Sequence, residues 1–224
     1  MENETSSETA ASATPLTLLS ANEARVVGSL IEKEATTPEA YPLTANAVVL
    51  ACNQKNNREP VMELEPGEVG HTLRHLEGTG LLRAVHGARA QRYEHRFAQA
   101  YSVTARQQAL LSVMMLRGPQ TVAELLTRCE RLSAFADLDE VRQTLERLMQ
   151  RSPTLVVKLE RAPGQREDRY MHLLCGPVDA SQFARPDKPA STAERAGLEA
   201  RVHALEAAVE TLSRELQDLR QRLP

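Results

Sequence analysis

The chain has 224 residues, of which 42% are apolar, 25% charged and 3% aromatic, and its formal net charge is −3. This composition predicts a soluble globular protein and excludes one that holds nucleic acid by net charge alone. The longest apolar run, residues 47–52, is far shorter than the about 20 residues of a membrane-spanning helix. The acidic N-terminus also lacks the layout of a signal peptide, so we expect a cytoplasmic protein without a membrane partner.

The cysteines and histidines do not predict a metal site. Cys52, Cys129 and Cys175 are odd in number and far apart in sequence, which favours neither disulfides nor zinc ligation, and we expect all three to be small buried side chains. His71 and His75 are spaced to share one helix face, but they lack the intervening glutamate of a metalloprotease motif. We therefore predict no metal and no cofactor.

A sequence repeat divides residues 17–176 into two halves. Each half begins with a capped helix start, at Ser20 or Thr104, followed by apolar residues at helical spacing. These are Val26, Val27, Leu30 and Ile31 in the first half and Leu110, Leu111, Met114 and Met115 in the second. A second helix is predicted after the N-cap residues Thr44 and Thr121, the latter with Glu124 in a capping box. A third contains the pattern EVxxTLxxL twice, from Glu68 and from Glu140.

Each half ends in a predicted pair of strands. The strands cover residues 81–85 and 92–97 in the first half, and residues 155–161 and 169–174 in the second. Three helices followed by a hairpin are the winged-helix form of the helix-turn-helix. The predicted fold is mainly α with small β-hairpins (α+β), with winged-helix domain 1 at 17–100 and winged-helix domain 2 at 101–176.

Three segments of different predicted structure lie outside the repeat. Residues 1–16 are predicted to be a disordered tail and residues 177–192 a flexible linker. Residues 193–223 carry a heptad stripe that predicts a C-terminal coiled-coil helix and a parallel homodimer. The stripe consists of Leu198, Val202, Leu205, Val209, Leu212, Leu216 and Leu219. The alternative is a single amphipathic helix that packs back on its own domains.

The sequence offers no catalytic residues, so we do not expect an enzyme. It contains neither a nucleophile elbow nor a Walker loop. Gly78-Thr79-Gly80 follows a helix and precedes a strand, which is the reverse of a dinucleotide-binding loop, and we interpret it as a helix C-cap.

A local basic patch in the first half favours contact with duplex DNA. With Val69, Leu73 and Leu76 buried, helical geometry places His71, Arg74, His75 and Gly78 on the opposite face. Arg74 is then placed to approach bases in a major groove, while Arg89 and Arg92 of the hairpin neutralise phosphates. The alternative is an ordinary solvated hairpin. The second half is less persuasive as a DNA-binding surface, because the exposed face of its third helix is mixed in sign, with Gln143, Glu146, Arg147 and Gln150.

A polar segment between the second and third helices suggests a second surface. It consists of Asn53, Gln54, Lys55, Asn56, Asn57 and Arg58. Its side chains can both donate and accept hydrogen bonds, so they could line a binding surface. The alternative is a surface loop whose asparagines satisfy local turns.

Four longer strings carry a resemblance to a known family. They are ACNQKNNREPVM from Ala51, YEHRF from Tyr93, LRGPQTVAELLTRCERL from Leu116 and PGQREDRYMHLL from Pro163. In these strings the chain resembles the YceH-like bacterial proteins of uncharacterised function, from about Leu16 to Gly176. The resemblance implies a tandem winged-helix fold, often with a C-terminal coiled coil, and implies no activity.

Two functional hypotheses remain open. The first is a dimeric DNA-binding protein, possibly regulatory in transcription, that contacts duplex DNA through helix 3 and the wing of domain 1. The second is an interaction module that uses the same surfaces to dock a protein partner, because the fold alone does not choose between these functions.

Overall fold

The computed structural model describes residues 18–86, 90–159, 161 and 167–179. Within these ranges the chain forms seven α-helices, one 3₁₀ turn (Pro38–Ala40) and five β-strands, so the protein is a mainly helical α+β protein. The helices are α1(Ala21–Thr36), α2(Ala45–Cys52), α3(Pro66–Gly78), α4(Phe97–Tyr101), α5(Ala105–Arg117), α6(Val122–Cys129) and α7(Leu138–Met149). The strands are β1(Leu43–Thr44), β2(Leu82–His86), β3(Gln91–His95), β4(Val156–Leu159) and β5(Arg169–His172).

The helix starts follow the capping residues. The Ser20 and Glu23 side chains form a capping box at α1, and Thr121 and Glu124 form another at α6, as predicted. Thr44 caps α2 by accepting a hydrogen bond from Ala47 N at 3.3 Å. These caps satisfy backbone N–H groups that have no partner inside the helix, so a local sequence pattern is enough to fix each start.

Three helices and an antiparallel hairpin occur in each half, with the short α4 between the halves, an arrangement compatible with the winged-helix form. In the first half β1 pairs with β3, and β3 pairs with β2. Leu43 lies opposite Tyr93 across β1 and β3. In the second half β4 pairs with β5, and Gln120 bridges to Tyr170. The repeat aligns Leu43 with Gln120 and Tyr93 with Tyr170, so the same strand contact occurs in both halves.

The two halves share one hydrophobic core at the crossing of α1 and α5. Residues from both halves belong to a single buried cluster. At the crossing, a Cβ added to Gly28 would lie 3.1 Å from the Leu116 side chain and 3.3 Å from Met115 Cβ. Ser112 Oγ donates to Gly28 O at 3.2 Å. Because α1 packs on its own half with one face and on α5 with the other, it is buried on all sides between Glu23 and Ile31.

Two features differ from the sequence expectations. Phe97 does not end the second strand of the first hairpin; it begins α4, where its buried ring packs 4.7 Å from that of Tyr101. Cys52 and Cys129 are buried as predicted. Cys175, however, is exposed, because it follows the buried Leu174 in the turn after β5. The predicted tail, the predicted linker after residue 179 and the predicted coiled-coil helix lie outside the described residues, so these predictions stand untested.

Candidate nucleic-acid interface

The exposed face of α3 is the core of the candidate site. The helix begins after Glu65, whose backbone N–H donates to the Glu68 carboxylate at 2.8 Å, with Pro66 at the first helical position. Its buried residues are Val69, Thr72, Leu73 and Leu76. This apolar stripe turns the opposite face toward solvent, and there His71, Arg74 and His75 are exposed, as the helical spacing predicts.

Three glycines leave parts of this face of α3 without side chains. A Cβ added to Gly67 or Gly78 would meet no atom within 4 Å. A Cβ added to Gly70 would lie 3.6 Å from Nη1 of Arg74, so the guanidinium lies over the glycine backbone. Glycine costs helix stability relative to alanine, and here it leaves the backbone open to close approach by another molecule.

The three candidate residues on α3 differ in their partners. Arg74 and His71 form no hydrogen bond or ion pair with any residue that the structure describes. His75 Nδ1 instead contacts the Glu23 carboxylate of α1. Burial raises the pKa of the Glu23 carboxyl, but hydrogen bonds from the Ser20 N–H and His75 more than offset this effect, and the net pKa is lowered. Glu23 thus stays ionised and holds His75 against α1.

Two arginines in the described part of the first hairpin are also bound within the protein. Arg92 is exposed, but its Nη1 donates to Pro42 O at 2.7 Å and to Ala40 O at 3.3 Å. Arg83 pairs with Glu94 at 2.7 Å. Arg89 lies outside the described residues, so its predicted phosphate contact stays a prediction.

Acidic side chains interrupt the predicted basic patch. Glu65 and Glu68 are exposed at the start of α3, and Glu77 is exposed at its end. On the β3 side, His95 Nε2 contacts the Glu34 carboxylate at 2.8 Å, which engages another of the patch's histidines. These contacts reduce the positive charge that the described part of the patch presents to solvent, while Arg74, in the middle of the helix, forms no ion pair with a described residue.

The polar segment at Asn53 to Arg58 is only partly a surface. Lys55, Asn56 and Asn57 are exposed, but the Arg58 side chain has no exposed area. Its guanidinium donates to the Glu32 carboxylate at 2.6 and 3.1 Å and to Ala51 O at 2.9 and 3.1 Å. The expectation that Arg58 belongs to a binding surface is wrong, because burial with a bidentate carboxylate satisfies its charge inside the fold.

A second buried arginine holds the same segment and was not anticipated from the sequence. Arg25 lies in the middle of the apolar residues of α1 and is 2% exposed. It donates to Cys52 O at 3.1 Å and to Pro60 O at 2.6 Å. Its burial, followed by the charge of Arg58, lowers its pKa. An arginine between Ala24 and Val26, next to the apolar residues of a predicted helix, was the only sequence signal of this contact.

The corresponding surface of the second half is mixed in sign, as the sequence indicated. On α7, Arg142 pairs with Asp139 at 2.7 Å. On the second hairpin, Asp168 accepts from both Lys158 and Arg161, at 2.7 and 2.8 Å. A cavity of about 240 Å³ between α6, α7 and this hairpin is lined in part by Arg142, Arg161 and Asp168.

Two classes of site have no candidate in the described part of the chain. Among those residues, no group of three or more histidine, cysteine or acidic side chains is arranged to hold a metal ion. Within the same ranges, no helix is both long and apolar enough to cross a bilayer.

The fold and this surface define the class as an α+β protein whose two helical halves each carry an antiparallel hairpin. The chain belongs to the family described as "Protein of unknown function, DUF480", whose profile matches residues 19–165. Membership of an uncharacterised bacterial family, expected from the four sequence strings, is confirmed.

Similar proteins of three bacterial genera cover most of the chain. A UPF0502 protein of Stenotrophomonas maltophilia is 54% identical over 207 residues, which is 91% of this chain and 94% of the relative. One of Pseudomonas paraeruginosa is 54% identical over 189 residues, 82% and 85% of the two chains. One of Xanthomonas campestris is 50% identical over 214 residues, 93% and 96%. Their names state no activity, so the similarity establishes the family alone.

Proposed function

We propose that the protein binds duplex DNA through α3 and the β2–β3 hairpin, as a tandem winged-helix protein that regulates transcription. The observation that carries this proposal is the exposed face of α3, where glycines leave the backbone open to close approach. On this face Arg74 and His71 form no hydrogen bond or ion pair with a described residue. A major groove admits an α-helix, and arginine can donate two hydrogen bonds to the edge of guanine. Arg74 is the side chain that would make this contact.

The hairpin supplies the contacts to the DNA backbone in this proposal. An arginine carries five N–H donors. The hydrogen bonds from Arg92 to Ala40 and Pro42 use only Nη1, which fixes the guanidinium at the surface. Its Nε and Nη2 groups would then donate to phosphate oxygens, which position a protein on the duplex without reading sequence.

The decisive experiment is selection of the full-length protein against a random duplex pool at about physiological salt. Specific affinity survives at that ionic strength, whereas binding by charge alone is strongly reduced. On an enriched sequence, Arg74→Ala should weaken binding by about tenfold or more, the range for loss of one bidentate base contact. Arg142→Ala is the matched control, an exposed α7 arginine that should leave affinity unchanged. Equal affinities for wild type and Arg74→Ala would refute the assignment.

A second variant tests the close approach of α3 to its partner. Gly67→Leu adds bulk at a helix position where a Cβ meets no other atom of the protein. We expect thermal stability to be retained, because leucine has a higher helix propensity than glycine, while DNA affinity falls. Unchanged affinity would show that α3 does not enter a groove at this position.

A protein-docking module is the second candidate, favoured by two observations. Glutamates already pair with Arg83 and His75, which reduces the charge available to phosphates. Leu50 and Val61, on either side of the polar segment, are 66% and 53% exposed. This candidate predicts negligible DNA affinity at physiological salt. It also predicts that Leu50→Ser and Val61→Ser abolish binding of a protein partner without affecting folding.

Dimerisation through the C-terminal heptads and a cytoplasmic location complete the proposal. A parallel coiled coil would present two α3 helices to two related half-sites. Sedimentation of the full chain should give a dimer, and Val209→Asp, which places a charge in the stripe, should give a monomer. A wild-type monomer at micromolar concentration would remove the dimer from the proposal.

A further inference from the structure

The connection between α2 and α3, residues 53–65, is held by the last turn of α5 in the other half. Glu59 N donates to Leu116 O at 2.8 Å. Arg117 Nη2 donates to Asn57 Oδ1 at 2.5 Å. The Leu116 side chain also packs against Gly28 of α1, so one turn of α5 contacts both α1 and the connection.

Inside the first half, the same connection is joined to α1. Nη1 of Arg58 donates to Asn57 O at 2.9 Å, and the same guanidinium binds the Glu32 carboxylate of α1. Asn57 has a φ of 63°, in the left-handed region that asparagine tolerates better than most residues. At this bend the Asn57 side chain faces Arg117, and the Asn57 carbonyl faces Arg58.

The far end of the connection is fixed directly before α3. The Asn53 side chain donates to Leu64 O at 2.9 Å and accepts from Leu64 N at 2.8 Å. Glu65, the next residue, is the N-cap of α3. A helix-turn-helix commonly joins its two helices by three or four residues, and a longer connection leaves the second helix freer unless other contacts hold it.

We propose that the last turn of α5 positions α3, with Arg117 as the positioning residue that acts through Asn57. The second half then serves the first as a support rather than as a second DNA reader, which accounts for the mixed charge of α7 and its hairpin. The effect on DNA binding rests on the function proposed above. The structural coupling between α5 and α3 does not.

Hydrogen exchange of the full-length protein tests the coupling without DNA. Arg117→Ala should raise amide exchange in residues 53–65 and in the first turn of α3 by about fivefold, the scale expected for loss of one ordinary hydrogen bond. Exchange in α7 should not change. Arg142→Ala should have no effect in either region. Wild-type exchange rates at residues 53–65 in Arg117→Ala would overturn the proposal.

A double-mutant cycle separates positioning from general destabilisation. If Arg117 acts through Asn57, Asn57→Gly, which removes the side-chain acceptor but tolerates the positive φ, should produce the same local increase in exchange, and the double variant should show no further increase. Arg117→Lys, which can still donate to Asn57, should restore most of the wild-type protection. Additive effects of Arg117→Ala and Asn57→Gly would show that Arg117 acts by another route.

Salt-dependent DNA binding tests the functional consequence. Arg117→Ala should weaken affinity severalfold with an unchanged slope of log affinity against log salt, because no phosphate contact is lost. A slope reduced by about one would instead make Arg117 a phosphate contact and overturn its positioning role. If the wild type binds no DNA, the proposed function fails, and the exchange result alone decides whether α5 positions α3.

Discussion

Removal of the Glu32 carboxylate should be among the most damaging single changes to this fold. Glu32 is 14% exposed at its side chain and binds Arg58, whose side chain has no exposed area. Glu32→Ala leaves that guanidinium buried with only the carbonyls of Ala51 and Asn57 as acceptors. Breaking a buried ion pair by removing one partner costs about 3–5 kcal/mol.

The expected loss in free energy of unfolding lies at the lower end, about 3 kcal/mol. Three of the carbonyl hydrogen bonds of Arg58 survive the change, and the partial exposure of Glu32 allows water to reach the space that it leaves. Glu32→Gln keeps an acceptor but not the charge, so it should cost about half as much. Urea unfolding followed by circular dichroism measures both values.

Asp139→Ala is the matched control for this experiment. It also removes the acidic member of an arginine pair, but the side chains of Asp139 and Arg142 are 77% and 51% exposed. Exposed pairs contribute about 0–1 kcal/mol, so the control should unfold close to the wild-type midpoint. A loss below about 1 kcal/mol in Glu32→Ala, or one equal to the control, would show that burial of Arg58 does not require the carboxylate.

Three further outcomes follow from buried groups. Gly28→Val should lower the free energy of unfolding by about 1–3 kcal/mol, because the added carbon atoms overpack the helix crossing. An unchanged melting temperature would contradict that packing. Burial lowers the pKa of His172 to about 4, so between pH 6.5 and pH 4 the unfolded chain binds a proton that the native chain does not. Stability should therefore fall as pH drops through that window, by up to about 3 kcal/mol, and His172→Leu should flatten the dependence. A thiol reagent should label Cys175 in the native protein but Cys52 and Cys129 only after unfolding; three thiols labelled at equal rates would exclude this arrangement.

The sequence predicted those parts of the fold that depend on nearby residues. Capping pairs such as Ser20 with Glu23 and Thr121 with Glu124 lie three residues apart, so they determine where helices start without tertiary context. The exposed face of α3 followed from helical periodicity alone, because Val69 and Leu73 had to be buried together.

Contacts between distant residues could not be predicted in this way. Arg58 is separated from Glu32 by 26 residues, and its sequence neighbours are polar, so it was grouped with a surface segment. His75 was predicted to be exposed, as it is, but its contact with Glu23 joins two helices that periodicity treats separately. Phe97 was placed in a strand because a short alternating pattern does not distinguish a strand end from the first turn of a helix.

The crossing of α1 and α5 has a consequence for how the molecule can associate. In the repeat, Val27 corresponds to Leu111, so the residues that meet at the crossing, Gly28 and Ser112, also correspond. Contact between like surfaces at equivalent positions is the arrangement of a two-fold symmetric, isologous dimer. The two halves of one chain thus pair with each other as two separate copies of one half would pair in such a dimer. That face is already covered, and assembly of whole chains must use another surface.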